Sequence, residues 1–288
     1  MMEIAKRARM DYDDMPLDLS IKKSEHKRDN EIFVVPRVPP QIISISDRIL
    51  AFECALSQKL RYINFNFPVE YVYNPIEYAF QSHAMYVTKY CRSTKKILFL
   101  GMNPGPWGMS QTGVPFGEVN IVRDWLKISG NVGKPIREQA DRLVTGFNCT
   151  RSEISGRRFW NLFRELCNED PEKFFRNAYL HNYCPIALMD AGGRNITPAE
   201  LKGPEQYTLY SACDETLVAV LKLLKVEIVL GVGRFAEKRA QTIIKTTGLP
   251  IKVLCIPHPS PRSVGNENWN EKAKHKLREY NLMEYFSN

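Results

Sequence analysis

The sequence predicts an α/β fold, a three-layer α/β/α sandwich around a central four-stranded, mainly parallel sheet. Three observations lead there. Four short apolar runs, Lys96–Leu100, Tyr179–Pro185, Val226–Leu230 and Ile251–Ile256, are separated by segments of helical character. Strands alternating with helices imply a parallel sheet covered on both faces. One intervening segment, Thr208–Leu224, carries Leu209, Cys213, Leu217, Val220, Leu221 and Leu224 on a single stripe, as a helix that buries one face does. Finally, each apolar run gives way at its C-terminal side to unusual sequence rich in Gly, Pro, Asn or His.

Taken in order, residues 1–42 read as a disordered tail. The first 40 residues carry eight Lys/Arg and eight Asp/Glu, few large apolar groups, and a proline-rich end at Val35–Pro40. The folded domain is expected over residues 43–288. Ser46 is the expected cap of a helix over Asp47–Tyr62, with Phe52, Leu56 and Leu60 on one face. Asn74-Pro75 opens a second helix, to about Cys91. After the strand Lys96–Leu100 comes a stretch with five glycines and three prolines between Gly101 and Gly117, which reads as neither helix nor strand. Glu118–Ile128 and Gly156–Cys167 read as helices, the latter with Phe159, Trp160 and Phe163 apolar. Gly231-Val-Gly233 is a tight strand-to-helix turn, and the last helix spans about Asn270–Tyr280.

Composition excludes several classes. At 44% hydrophobic and 25% charged residues, the chain reads as a globular protein. It has no run long enough to span a membrane and no signal-peptide pattern. Seven scattered cysteines without a Cys-x-x-Cys pair fit a reducing compartment and argue against a metal or cluster. The tail is neutral, so the net charge of +8 belongs to the folded part. Between Tyr86 and Trp160, twelve basic residues face five acidic ones. That surplus reads either as a solvated surface or as the footprint of a polyanionic partner.

In a parallel sheet the C-terminal strand ends share one edge, where ligands bind. Asn103, Asn182 and His258 stand just past three such ends, and Phe116 sits at the far end of the glycine-rich loop. Singly, each also reads as a turn or packing residue; their common placement makes them candidates together. The loop has no P-loop lysine, no nucleophile elbow is present, and no His/Asp/Glu cluster has metal spacing. Gly231-Val-Gly233 matches a dinucleotide fingerprint, but no acidic residue follows the next strand to hold a ribose. What remains is two amides, one imidazole, an aromatic plate and a basic surround. An amide can bond a pyrimidine edge through both donor and acceptor, Phe116 can stack on the ring, His258 can stabilise charge on a base carbonyl, and Asn103 can hold a water. These parts suit hydrolysis of an N-glycosidic bond, without metal or cofactor. A non-catalytic nucleic-acid or nucleotide-binding module on the same fold is the alternative.

Gly101-Met-Asn-Pro-Gly-Pro106, Gly113-Val-Pro-Phe-Gly117, His181-Asn-Tyr-Cys-Pro185 and His258-Pro-Ser-Pro-Arg262 together resemble the single-strand-selective monofunctional branch of the uracil-DNA glycosylase superfamily. The resemblance runs from about Ile43 to the C-terminus. It implies that Asn103 positions the attacking water and that Gly105 and Met109 line the pocket at the base C5 edge. It implies that Phe116 stacks on a flipped base, that Asn182 bonds uracil O4 and N3, and that His258 stabilises charge on O2. Arg262, Ser263, Val264, Gly265 and Asn266 would form a wedge entering the DNA stack. It further implies uracil and 5-hydroxymethyluracil as substrates in single- and double-stranded DNA, an abasic product without strand cleavage, a monomeric enzyme and a nuclear location. Many relatives carry Asp in the first motif, so Asn103 shifts the burden of catalysis toward His258. In the tail, Pro16-Leu-Asp-Leu-Ser20 resembles a corepressor docking motif, and Lys22–Arg28 an import-like basic cluster.

Overall fold

The computed structural model describes residues 43–262 and 266–287. The tail expectations, including Pro16–Ser20 and Lys22–Arg28, and the wedge residues Ser263, Val264 and Gly265 lie outside them. The chain begins with α1 (Ile45–Arg61), β1 (Tyr71–Tyr73), α2 (Pro75–Tyr78), α3 (Phe80–Tyr90) and β2 (Ile97–Gly101). Next come α4 (Met109–Thr112), a π-helical turn at Ile121–Trp125, α5 (Ile154–Leu166) and α6 (Pro171–Asn177). Three strands follow, β3 (Ala178–Asn182), β4 (Ala187–Met189) and β5 (Asn195–Ile196). The chain ends with α7 (Pro204–Leu224), β6 (Ile228–Val232), α8 (Arg234–Thr247), β7 (Lys252–Ile256), α9 (Trp269–Glu279) and α10 (Glu284–Ser287).

The central sheet has the order β3-β2-β6-β7, and every pairing in it is parallel. A small antiparallel sheet, β1-β4-β5, stands beside it. Residue alternation along β2 sends neighbours to opposite faces. Phe99 meets Phe159 and Phe163 of α5, Phe174 of α6 and Phe286 of α10, with centroids 5.0–6.0 Å apart. Leu98 points the other way, in register with Tyr179 of β3, which stacks on Tyr86 of α3 at 5.2 Å. Helices α1 and α7 pack together, and α1 also packs on α3. Helices thus cover both faces of the sheet, as expected.

Several elements differ from expectation for local reasons. Ser44, not Ser46, caps α1: it forms a reciprocal capping box with Asp47, at 3.1 and 3.3 Å. Ser46 is buried and donates its hydroxyl to the Cys91 carbonyl. The expected helix Asn74–Cys91 breaks at Ala79 (φ −111°, ψ 29°), where the glycine-rich loop packs in: a Cβ on Gly113 would lie 2.8 Å from the Ala79 carbonyl. That loop is not wholly irregular, since α4 is one helical turn inside it. Of Glu118–Ile128, the π-turn is the main helical part. Its wider winding lets Val122, Trp125 and Leu126 all be buried. The strand expected at Val226–Leu230 lies two positions later, at β6, because Val226 still closes α7 by donating to the Leu221 carbonyl; Gly231 and Val232 therefore belong to the strand, and only Gly233 of the expected turn leads into α8.

Candidate active site

The parallel register places Gly101 beside Asn182 and Val232 beside Ile256, so the four central strands end on one edge. Asn103 lies two residues past β2, and His258 two residues past β7. Both open onto a cleft of about 420 Å³, also lined by Gly105, Met109, Phe116 and Arg262. Asn182 sits behind this lining. It is buried, its Nδ2 donates to the Met109 sulfur at 3.3 Å, and its Oδ1 has no partner among the described residues. A buried amide oxygen without a partner costs about 1–3 kcal/mol. A bound group with adjacent acceptor and donor would relieve it.

Glycines permit this crowding. A Cβ on Gly101 would stand 2.2 Å from Asn182 Oδ1 and 2.7 Å from Phe116 Cε2. Only a residue without a side chain lets the amide and the ring approach the strand end. Phe116 itself has φ 52°, a left-handed conformation unusual for an aromatic residue. A Cβ on Gly156 would meet the Phe116 carbonyl at 2.1 Å, so α5 also needs glycine there. The ring lies 5.3 Å from that of Phe159 and 5.9 Å from the His258 imidazole.

His258 is held neutral and in one tautomer. The Ser260 amide donates to its Nδ1 at 3.1 Å, so the proton resides on Nε2. The ring is only partly covered by surface area, yet enough protein surrounds it that burial lowers its pKa to about 4. Gly233, at φ 94°, lets it pack close: a Cβ there would stand 3.0 Å from the His258 Cβ. The Gly233 amide donates to the Ile256 carbonyl at 2.9 Å and is not free for a phosphate. Asn103 is oriented in turn: its Nδ2 donates to Asn195 Oδ1 at 3.1 Å, which leaves its own Oδ1 as an acceptor in the cleft.

Two buried braces fix the loop. Gln111 donates to the Pro106 and Leu143 carbonyls and accepts from the Thr145 and Gly146 amides, at 2.9–3.1 Å. Below it, His83 Nε2 meets Glu53 at 2.7 Å and Nδ1 meets the Gly113 carbonyl at 2.8 Å. Both partners are acceptors, so both ring nitrogens carry protons and His83 is an imidazolium. Burial alone would raise the Glu53 pKa, but the His83 charge and the bonds to His181 and His83 lower it to about 2. Burial likewise opposes the charge on His83, and the Glu53 carboxylate overrides it and raises its pKa. His181, 3.4 Å from Glu53, precedes Asn182.

This arrangement can hold a flat polar ring against Phe116, donate one proton from a neutral imidazole, and orient a water. The model of the uracil DNA glycosylase superfamily matches residues 88–281. The chain belongs to the uracil-DNA glycosylase superfamily. It is 47% identical over 245 residues to a single-strand selective monofunctional uracil DNA glycosylase of Bos taurus, covering 85% of this chain and 90% of that protein. The Mus musculus protein of the same name is 46% identical over 241 residues, covering 83% and 86%. Among solved structures, wild-type SMUG2 of Pedobacter heparinus superposes with a TM-score of 0.60 at 16% identity, covering 83% of this chain and 99% of that one. That likeness shows the fold.

Within this superfamily member, Asn103, Gly105, Met109, Phe116 and His258 line one cleft, and Arg262, expected in the DNA wedge, lines it too. Asn182 is placed one layer deeper. Asn266, expected among the DNA-contacting residues, is buried instead: its Nδ2 donates to the His258 and Ser260 carbonyls, both at 2.7 Å. It closes the base of the loop that carries Arg262. Arg158 of α5 reinforces this closure by donating to the Pro259 and Asn266 carbonyls at 3.2 Å. Sequence reasoning missed Asn195, Glu153, Arg142 and Trp107, all of which line the cleft. Glu153 abuts Gly105, where a Cβ would lie 2.4 Å from its Oε2. Burial raises its pKa, against the opposing Ser155 and Gly156 amides. No spacing pattern marked these four: Trp107 and Arg142 lie in irregular segments, Glu153 stands at the N-cap of α5, and Asn195 opens the two-residue β5.

Proposed function

We propose that this protein excises uracil from DNA by hydrolysing the N-glycosidic bond, leaving an abasic site and an intact strand. One observation carries the proposal: the buried, unpartnered Oδ1 of Asn182 beside an Nδ2 satisfied only by a thioether, facing Phe116 across Gly101. Uracil offers the matching pair, an O4 acceptor next to an N3–H donor. Displacement of the Met109 sulfur would let Asn182 take both bonds while the ring stacks on Phe116.

The steps follow from the geometry. As the C1′–N1 bond breaks, its electron pair moves into the uracil ring and onto O2. The neutral Nε2–H of His258 donates to that oxygen. A preorganised donor aimed at developing charge contributes about 3–4 kcal/mol in comparable sites. Asn103 Oδ1 accepts from a water that attacks C1′ of the oxocarbenium-like sugar; the water's proton leaves to the departing uracil anion or to solvent. Asn103 is a weak base, so the departing anion, not the water, receives most of the stabilisation. No lysine lines the cleft among the described residues, so the proposal includes no Schiff base.

The proposal extends to 5-hydroxymethyluracil and related oxidised pyrimidines. Glu153, with its raised pKa, stands beside Gly105 on the side assigned to base C5. Its carboxyl can bond a hydroxymethyl group but gains nothing from a methyl. Single strands and mispairs are the favoured substrates, because flipping their bases costs least. A nuclear location, a monomeric state and corepressor docking through Pro16–Ser20 complete the proposal; pull-down of the full chain with and without Asp18→Ala tests the docking. The catalytic proposal is tested by free uracil released from a single-stranded oligonucleotide. Wild type should release it, while Asn103→Ala and His258→Leu should lose orders of magnitude in rate and still bind DNA. Release near the wild-type rate by either variant would contradict its assigned role.

A further inference from the structure

Trp107 stands on the same loop as Asn103, on the cleft wall. Two guanidiniums lie over its indole: Arg151 at 4.7 Å from the ring centroid and Arg142 at 5.4 Å. Arg142 lines the cleft as well, and its buried Nε has no hydrogen-bond partner among the described residues. Neither arginine forms an ion pair with a described carboxylate. The contrast with Arg194 is instructive. It also lines the cleft, but Asp190 and Glu200 already neutralise its guanidinium, at 3.0 and 2.5 Å.

The juxtaposition is built rather than incidental. Gln111, fully buried, ties the Pro106 carbonyl, next to Trp107, to Leu143, Thr145 and Gly146, next to Arg142. Tyr73 further holds the Arg142 carbonyl at 3.0 Å. Two cations kept close together without a counterion repel each other, and the indole offsets part of that cost by cation–π attraction. Such a fork matches a tetrahedral anion with several oxygens.

We infer that Trp107, Arg142 and Arg151 form a clamp for a DNA backbone phosphate flanking the nucleotide held in the cleft. The inference rests on the cleft being a DNA site. A phosphate contact needs no base pairing, so the clamp serves single strands as well as duplexes. Its energy is electrostatic and independent of sequence.

The test is binding of a fluorescent, uracil-free single-stranded oligonucleotide to the full chain across a salt series. For single strands, each phosphate contact contributes about 0.7 to the slope of log affinity against log salt. The double variant Arg142→Gln/Arg151→Gln loses that one phosphate contact and should reduce the slope by about 0.7, and each single variant by less. Arg151 is exposed, so its variant reports even where Arg142→Gln disturbs folding. Lys245→Gln, an exposed cation on α8, sets the slope change expected of general charge loss. A double-variant slope equal to that of Lys245→Gln overturns the clamp. So does lower affinity at unchanged slope, the signature of lost stacking rather than of lost phosphate contact. The readout uses DNA without uracil, so it separates from failure of the glycosylase proposal, which shows as absence of uracil release by wild type.

Discussion

Gly101→Ala tests the central geometry with one methyl group. Gly101 ends β2 opposite Asn182, and its backbone lies outside the left-handed region, so alanine fits the main chain. The new Cβ does not fit the site. It would stand 2.2 Å from Asn182 Oδ1, against about 3.4 Å for ordinary contact, so the amide must move by roughly 1.2 Å. Phe116 Cε2, at 2.7 Å, must move by roughly 0.7 Å. A misplacement near 1 Å costs about 10²-fold in rate, and here the reading amide and the stacking ring are displaced together. Overpacking should cost about 1–3 kcal/mol of stability, which leaves a folded protein to assay. Single-turnover uracil release at saturating single-stranded DNA should fall by about 10²-fold or more, with a modest drop in Tm. A folded Gly101→Ala variant within about threefold of wild type would refute the argument that Asn182 and Phe116 act from these positions.

Four further predictions rest on hydrogen bonding and charge. Asn195→Ala removes the bond that aims Asn103, so excision should slow by roughly tenfold while DNA affinity stays near wild type; an unchanged rate would mean that the bond does not orient the catalytic amide. His258, with its pKa lowered to about 4, should stay neutral and keep its proton on Nε2 from pH 5 upward in a nitrogen-15 NMR titration, and a transition near 6.5 would contradict that. Glu53, lowered to about 2, contributes stability that is fully present above about pH 4.5 and is lost as pH falls toward 2, on the order of 3 kcal/mol. Glu53→Gln leaves the His83 charge buried without its partner and should cost about 3–5 kcal/mol at pH 7, read by denaturant unfolding.

The sheet was legible because its strands are mostly apolar and give way abruptly to polar or glycine-rich sequence. The site was legible for the same reason: Asn103 and His258 each follow a strand by two residues. Short or irregular pieces were not. Strands β4 and β5, of three and two residues, carry no periodicity. The true α1 cap was within reach of sequence reasoning: Ser44 has an acidic residue three positions on, and Ser46 has Ile49 there. Asp170-Pro171 was likewise a start signal, realised as the cap of α6. The internal part of Asn266 was not legible, because its amide bonds the His258 and Ser260 carbonyls only once the loop has folded back. Glu53 and His83 gave no sequence signal, since 30 residues separate them and only the fold brings them together.

The most direct measurement is incubation of the full chain with an end-labelled, uracil-containing single-stranded oligonucleotide in EDTA, split afterwards into samples with and without hot alkali. The account predicts an intact strand before alkali and a single break at the uracil position after it. It also predicts that Asn182→Ala abolishes that break. A strand cut without alkali, or no alkali-labile site at all with wild type, would contradict it.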